Sequence, residues 1–138
     1  MHDVHHVAIV VRDIDAELAF YRDRLGLEAR SVQNVADQQV RIAFLPVGGT
    51  LVELVQPTDR ASGVARFLEA RGRSTMHHVC FAVDDLAATL DDLSREGVEL
   101  IDRTPRRGAE GDVAFLHPRA ANGVLVELID RSSMKVRA

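Results

Sequence analysis

One cysteine in 138 residues, Cys80, excludes an internal disulfide and suits a reducing cytoplasm. No apolar run approaches the roughly 20 residues needed to span a bilayer, so no membrane partner is expected. Positive charge is in short supply. The net charge of −4 argues against a general nucleic-acid binder. Met1-His2-Asp3-Val4-His5-His6 lacks a basic segment followed by an apolar one, so no secretory signal is expected at this end. The chain also carries no nucleophile elbow, no P-loop and no dinucleotide fingerprint. With 46% hydrophobic and 28% charged residues it reads as an ordinary globular protein, so its chemistry must come from side chains assembled by the fold.

What the chain does have is an internal repeat. Val4-His5-His6-Val7-Ala8-Ile9-Val10-Val11 returns as Met76-His77-His78-Val79-Cys80-Phe81-Ala82-Val83. Both copies run into an Asp-containing turn and a helix start. Later, Leu51-Val52-Glu53-Leu54-Val55 is matched by Leu125-Val126-Glu127-Leu128-Ile129. His6 to His78 spans 72 positions and Glu53 to Glu127 spans 74, so one plan is used twice. Neither half is large enough to hold a good core alone. The expectation is therefore a single domain over residues 1–138. It would be built from modules at about 4–72 and 76–130, with a loosely ordered polar tail at 131–138.

Each module reads as a strand, a helix and further strands. Residues 4–11 alternate as a strand. Asp13 suits a helix cap, the helix carries Ile14, Leu18, Tyr21 and Leu25, and Gly26 ends it. Strands are expected at 28–34, 39–45 and 50–56, the last entered through Gly48-Gly49 and stopped by Pro57. A bridging helix covers 59–72. The second module repeats the scheme. A strand at 76–83 precedes a helix at 84–96 capped by Asp84 or Asp85. Strands follow at 98–102, 113–117 and 124–129.

The repeat singles out four residues. Glu53 and Glu127 each sit in the centre of an apolar strand. An ionised carboxylate there costs several kcal/mol unless it is paired or metal-bound. One such Glu could simply face solvent, but two at equivalent positions argue for a common task. His6 shares a face with small Ala8, and His78 shares one with Cys80 and Ala82. The opposite faces carry Val7, Ile9 and Val11, and Val79, Phe81 and Val83. Bulky residues suit packing under a helix, and small ones suit the floor of a cup. His6 and His78 are thus expected in the cup, His5 and His77 toward an edge. Two imidazoles and two carboxylates make a mixed N/O site for a divalent ion such as Co, Ni, Zn or Mn. Two octahedral positions stay open for substrate oxygens. Such an ion can polarise a carbonyl and stabilise an enediolate. Cys80 reads as a small core residue.

These residues resemble the vicinal oxygen chelate superfamily and, within it, the methylmalonyl-CoA epimerase family. The resemblance spans about residues 4–130. The strand motifs carry the superfamily. Gly108-Ala109-Glu110-Gly111, then Phe115-Leu116-His117-Pro118, then Gly123-Val124-Leu125-Val126-Glu127-Leu128 carry the narrower family. The resemblance implies an α+β fold in which two βαβββ modules form a curved mixed sheet around a metal-binding cup. It implies His6, Glu53, His78 and Glu127 as metal ligands, with Co favoured over Zn, Mn or Ni. It also implies interconversion of (2R)- and (2S)-methylmalonyl-CoA, with Glu127 as first candidate for a base and Glu53 as second. Arg103, Arg106, Arg107 and Arg119 are the cations expected near the CoA phosphates. A homodimer is expected from the same resemblance. Two departures stand out. Ile42 occupies the position where some family members carry a second carboxylate base. Glu110 stands where the loop usually has His.

Three rivals share the architecture. A glyoxalase I uses the same ligand set, but the 115–128 run argues against it. A ring-cleaving dioxygenase needs a 2-His-1-carboxylate iron site, which the fourth ligand does not favour. A metal-free small-molecule binding or resistance protein would have no use for both buried glutamates.

Overall fold

The computed structural model describes residues 1–135, and the chain forms two compact units. The first is His6–His77. The second is Met1–His5 together with the chain from His78 onward. The elements of the first are β1 (Asp3–Val10), α1 (Ile14–Tyr21), β2 (Ser31–Val35), β3 (Val40–Val47), β4 (Thr50–Pro57) and α2 (Gly63–Arg71). β2 pairs with β3 and β3 with β4, both antiparallel, while β4 pairs with β1 in parallel from His6 on. The second unit holds β5 (Thr75–Val83), α3 (Leu86–Arg95), β6 (Arg106–Arg107), β7 (Asp112–Leu116) and β8 (Val126–Asp130). β6 pairs with β7 and β7 with β8, both antiparallel, and β8 pairs with β5 in parallel. The two units therefore have the same βαβββ order and the same mixture of pairings. The fold is α+β.

Period-two alternation sorts each sheet into two faces. In the first unit Val11, Ala43, Leu45 and Leu54 pack against Ile14 and Leu18 of α1. In the second, Val83, Ala114 and Leu128 pack against Leu86 and Leu90 of α3. The opposite faces carry Ala8, Ile42, Phe44, Leu51 and Val55 in one unit, and Cys80, Ala82, Val113 and Ile129 in the other. The small-residue faces thus lie away from α1 and α3, as the alternation predicts.

The helix starts are built alike. Asp13 accepts from the Asp15 amide and Asp85 from the Ala88 amide, which settles the second cap on Asp85. The first helical amide in each unit is taken by the end of the Glu-bearing strand. Ile14 N donates to Gln56 Oε1 at 2.9 Å, and Leu86 N donates to Asp130 Oδ2 at 3.0 Å.

Several boundaries differ from expectation. α1 stops at Tyr21, not near Gly26, because the chain turns off through Arg22–Leu25 and leaves Leu25 55% exposed. α2 starts at Gly63, since Asp59 accepts from the Ala61 amide and makes a tight turn before Ser62 caps the helix. The helix ends at Gly72, where φ is +74°, a conformation only glycine adopts without strain. Residues 98–102 contribute a single bridge, Leu100 to Leu116, instead of a strand. The segment from Arg131, expected as a loose tail, is built in as far as Lys135. Asp112 N donates to Ser133 Oγ at 2.8 Å and Lys135 N to Glu110 O at 2.9 Å. Residues 136–138 lie outside the described residues. No helix among the described residues is long and apolar enough to cross a membrane.

Candidate functional site

Strand register explains how each unit makes its His–Glu pair. In the first, Glu53 of β4 lies opposite Ala8 of β1, and His6 is two residues earlier on the same face. In the second, Glu127 of β8 lies opposite Cys80 of β5, and His78 is again two residues earlier. A small residue across from each Glu leaves room for the imidazole and carboxylate to meet. The two-residue difference between the sequence offsets is therefore absorbed by loops, and the register is unchanged.

His6 Nδ1 is 3.2 Å from Glu53 Oε2, and His78 Nε2 is 3.0 Å from Glu127 Oε1. His6, Glu53 and Glu127 are buried, at 4, 5 and 6% exposure. Two donors bound to one ion at about 2.1 Å on adjacent octahedral corners stand about 3.0 Å apart. Each pair thus has the spacing of two neighbouring ligands. Nitrogen plus carboxylate oxygen is also the donor chemistry of a borderline divalent ion. The residues present fit such a metal.

A third residue completes each pair, and the motif reading did not assign it a role. Phe44 of β3 lies opposite Glu53, and Phe115 of β7 lies opposite Glu127. The Phe115 ring meets the His78 ring edge-on, with centroids 5.3 Å apart. The signal existed in the sequence, since an aromatic precedes each Glu by a hairpin's length, but it becomes legible only once the register is known.

The other histidines differ from expectation in part. His5, expected toward an edge, is buried at 2% exposure, and its Nε2 is 4.0 Å from Glu110 Oε2. His77 packs edge-on against Phe67 of α2 at 4.8 Å. Ile42 lies at 4% exposure among Ala8, Val40, Phe44 and Val55, so β3 brings no proton-carrying group there.

Three of the four expected phosphate-binding arginines have carboxylate neighbours. Arg106 Nε is 3.2 Å from Asp102 and Arg107 Nη1 is 3.2 Å from Asp112. Arg119 grips Glu99 through Nε at 3.1 Å and Nη2 at 2.6 Å. This hydrogen-bonded guanidinium holds the Glu99 carboxyl below its ordinary value. Arg103 is exposed beside them in sequence. Exposed pairs of this kind are worth about 0–1 kcal/mol.

Residues 5–116 match the Glyoxalase/Bleomycin resistance protein/Dioxygenase superfamily. The chain belongs to that superfamily. Within it, the chain is 39% identical to the ethylmalonyl-CoA/methylmalonyl-CoA epimerase of Cereibacter sphaeroides, over 91% of this chain and 95% of that protein. A crystal structure of methylmalonyl-CoA epimerase from Mycobacterium tuberculosis superimposes with a TM-score of 0.86 at 35% identity, covering 92% of this chain and 86% of that one. A methylmalonyl-CoA epimerase solved with methylmalonyl-CoA and NH4+ gives a TM-score of 0.86 at 31% identity, covering 96% of this chain and 97% of that one. The paired βαβββ units are thus the superfamily's architecture, and these three similar proteins are epimerases.

Proposed function

We propose that this chain is a metal-dependent methylmalonyl-CoA epimerase, a single domain of two modules that interconverts the (2R) and (2S) thioesters. The observation that carries the reading is the duplicated His–Glu pair, at one register in both units of a chain similar to epimerases over nine-tenths of its length. His6, Glu53, His78 and Glu127 are the ligands this reading assigns to a divalent ion, with Co favoured over Zn, Mn and Ni. When bound, the ion withdraws charge from the substrate's oxygens and so acidifies its α-carbon.

The chain's own residues do the rest. The Glu127 carboxylate, the first candidate base, takes the α-proton from one face, and a proton is returned on the other face. Glu53, its counterpart in the first module, is the second candidate base. A proton must be moved on each face of the α-carbon, and Ile42 cannot move one. Buried carboxylates suit this work, because little water competes for the proton they carry. Arg103, Arg106, Arg107 and Arg119 offer cations for the CoA phosphates. A homodimer in a reducing cytoplasm is the setting this reading expects.

Incubating the Co-loaded protein with (2R)-methylmalonyl-CoA in D2O tests it. Deuterium should enter the α-carbon of both epimers. Absence of exchange with every one of the four metals would remove the epimerase, and the sample should then be offered a hemithioacetal.

A further inference from the structure

Phe115 is held from three sides in a way its neighbours are not. Its amide donates to Asp102 Oδ2 at 2.8 Å. Its carbonyl accepts from the amides of Ile101 and Asp102 at 3.0 and 3.1 Å. The same Asp102 oxygen accepts from Arg106 Nε at 3.2 Å. The Arg106 guanidinium then lies over the Phe115 ring, 5.4 Å from its centroid. That is within cation–π reach. The ring in turn meets His78 at 5.3 Å with the planes 86° apart, the favourable edge-to-face arrangement. Phe115 also sits directly across the ladder from Glu127. Asp102, Arg106, Phe115 and His78 therefore form one continuous stack within the second unit.

We infer that Phe115 is a positioning residue for His78, and that Asp102 and Arg106 are its clamp. An imidazole on a strand can rotate about two side-chain bonds, and its nitrogen must point at one place to bind a metal. An aromatic edge contact at 5.3 Å and the Glu127 carboxylate at 3.0 Å together restrict both rotations. Asp102 fixes the Phe115 backbone, and Arg106 fixes the ring. Arg106 uses only its Nε for Asp102, and a guanidinium has five N–H donors. Its terminal nitrogens can still meet an anion, so the same residue would join the phosphate end of an acyl-CoA to the orientation of His78. This inference rests on the function proposed above, with His78 as a metal ligand.

The test compares Phe115→Leu with Phe115→Tyr, which keeps the ring, and adds Asp102→Asn. One readout is the χ1 rotamer distribution of His78 in the metal-free protein, from three-bond couplings, which the loss of a neighbouring ring current does not itself change. The other is Co(II) affinity, followed by the visible spectrum of the ion. Phe115→Leu should broaden the His78 rotamer distribution and weaken Co(II) binding about tenfold, in line with losses seen for residues that orient a metal ligand. Phe115→Tyr should preserve both, and Asp102→Asn should shift both in the direction of the leucine variant. An unchanged His78 rotamer distribution in Phe115→Leu would overturn the inference, as would a tyrosine variant as impaired as the leucine one. If the unaltered protein binds Co(II) but exchanges no α-deuterium, the epimerase reading fails while the role of Phe115 stands. If it binds no Co(II), the inference falls together with the metal site it rests on.

Discussion

The two units are one design with different surroundings. Each has a His, a small residue opposite a Glu, and a Phe across from that Glu: His6, Ala8, Glu53 and Phe44 in the first, His78, Cys80, Glu127 and Phe115 in the second. In the first, Phe44 is 3% exposed and sits in a core with Ile42, Leu51 and Val55. In the second, the matching Phe115 is half-buried and backed by Arg106 and Asp102. His78 is likewise more accessible than His6. The duplicated ladder supplies equal His–Glu pairs in different surroundings. One half is sealed by hydrocarbon. The other is joined to the charged side chains of Asp102 and Arg106.

The sharpest way to break this comparison is to neutralise each glutamate. Glu127→Gln should slow α-deuterium exchange by about a thousandfold, the scale of losing a positioned base. Glu53→Gln, at the second candidate base, should cost less, about a hundredfold by the same measure. Equal losses would mean the two carboxylates share the proton work evenly. The cores should behave alike where the glutamates do not. Leu54→Ala and Leu128→Ala, both at fully buried positions under a helix, should each lose about 2–5 kcal/mol in urea unfolding. The helix caps come next. Asp13→Ala and Asp85→Ala should each cost about 1 kcal/mol.

The smallest effect concerns pH. Gln56 and Asp130 take the first amide of their respective helices, and only Asp130 titrates. Burial pushes the Asp130 carboxyl up, but the Leu86 amide, the Ser132 hydroxyl and the amides of Ser132 and Ser133 outweigh it, and the net displacement is downward. A carboxyl held low in the folded state stabilises fully above its ordinary value and loses that contribution as pH falls through the lowered one. Asp130→Asn should therefore cost about 0.5 kcal/mol near neutrality, allowing for screening, and flatten the acid limb of the unfolding midpoint against pH. Gln56→Asn, in the first unit, should leave that limb unaltered.

Most of the plan was readable because it is written twice. Apolar alternation assigned His6 and His78 to the face away from α1 and α3, and Asp13 announced its helix through local capping chemistry. Less visible were features fixed by pairing across long separations. Phe44 and Phe115 acquire meaning only when a strand register sets them opposite Glu53 and Glu127, and register is decided by the whole sheet. His5 was misjudged for a related reason. Alternation gives the two faces of a strand, but it does not say what loop will cover the other one, and here that loop brings Glu110. The ends of α1 and α2 were overextended because apolar spacing at Leu25 and acidic residues at Asp59 fit a helix as well as they fit the turns actually made.

The amide contacts of Gln56 and Asp130 have one more effect. Each lies three residues beyond a glutamate, on the same strand, and locks that strand to the start of a helix. Upstream, the glutamate's backbone is already fixed by its parallel neighbour. The backbone that carries each carboxylate is thus held at the glutamate and again three residues beyond it. An ion bound as proposed would find little backbone disorder to remove, so more of the attraction between charge and ligand would survive as affinity. On that reading, loosening either mooring would make binding weaker and more entropically costly while both glutamates remained in place.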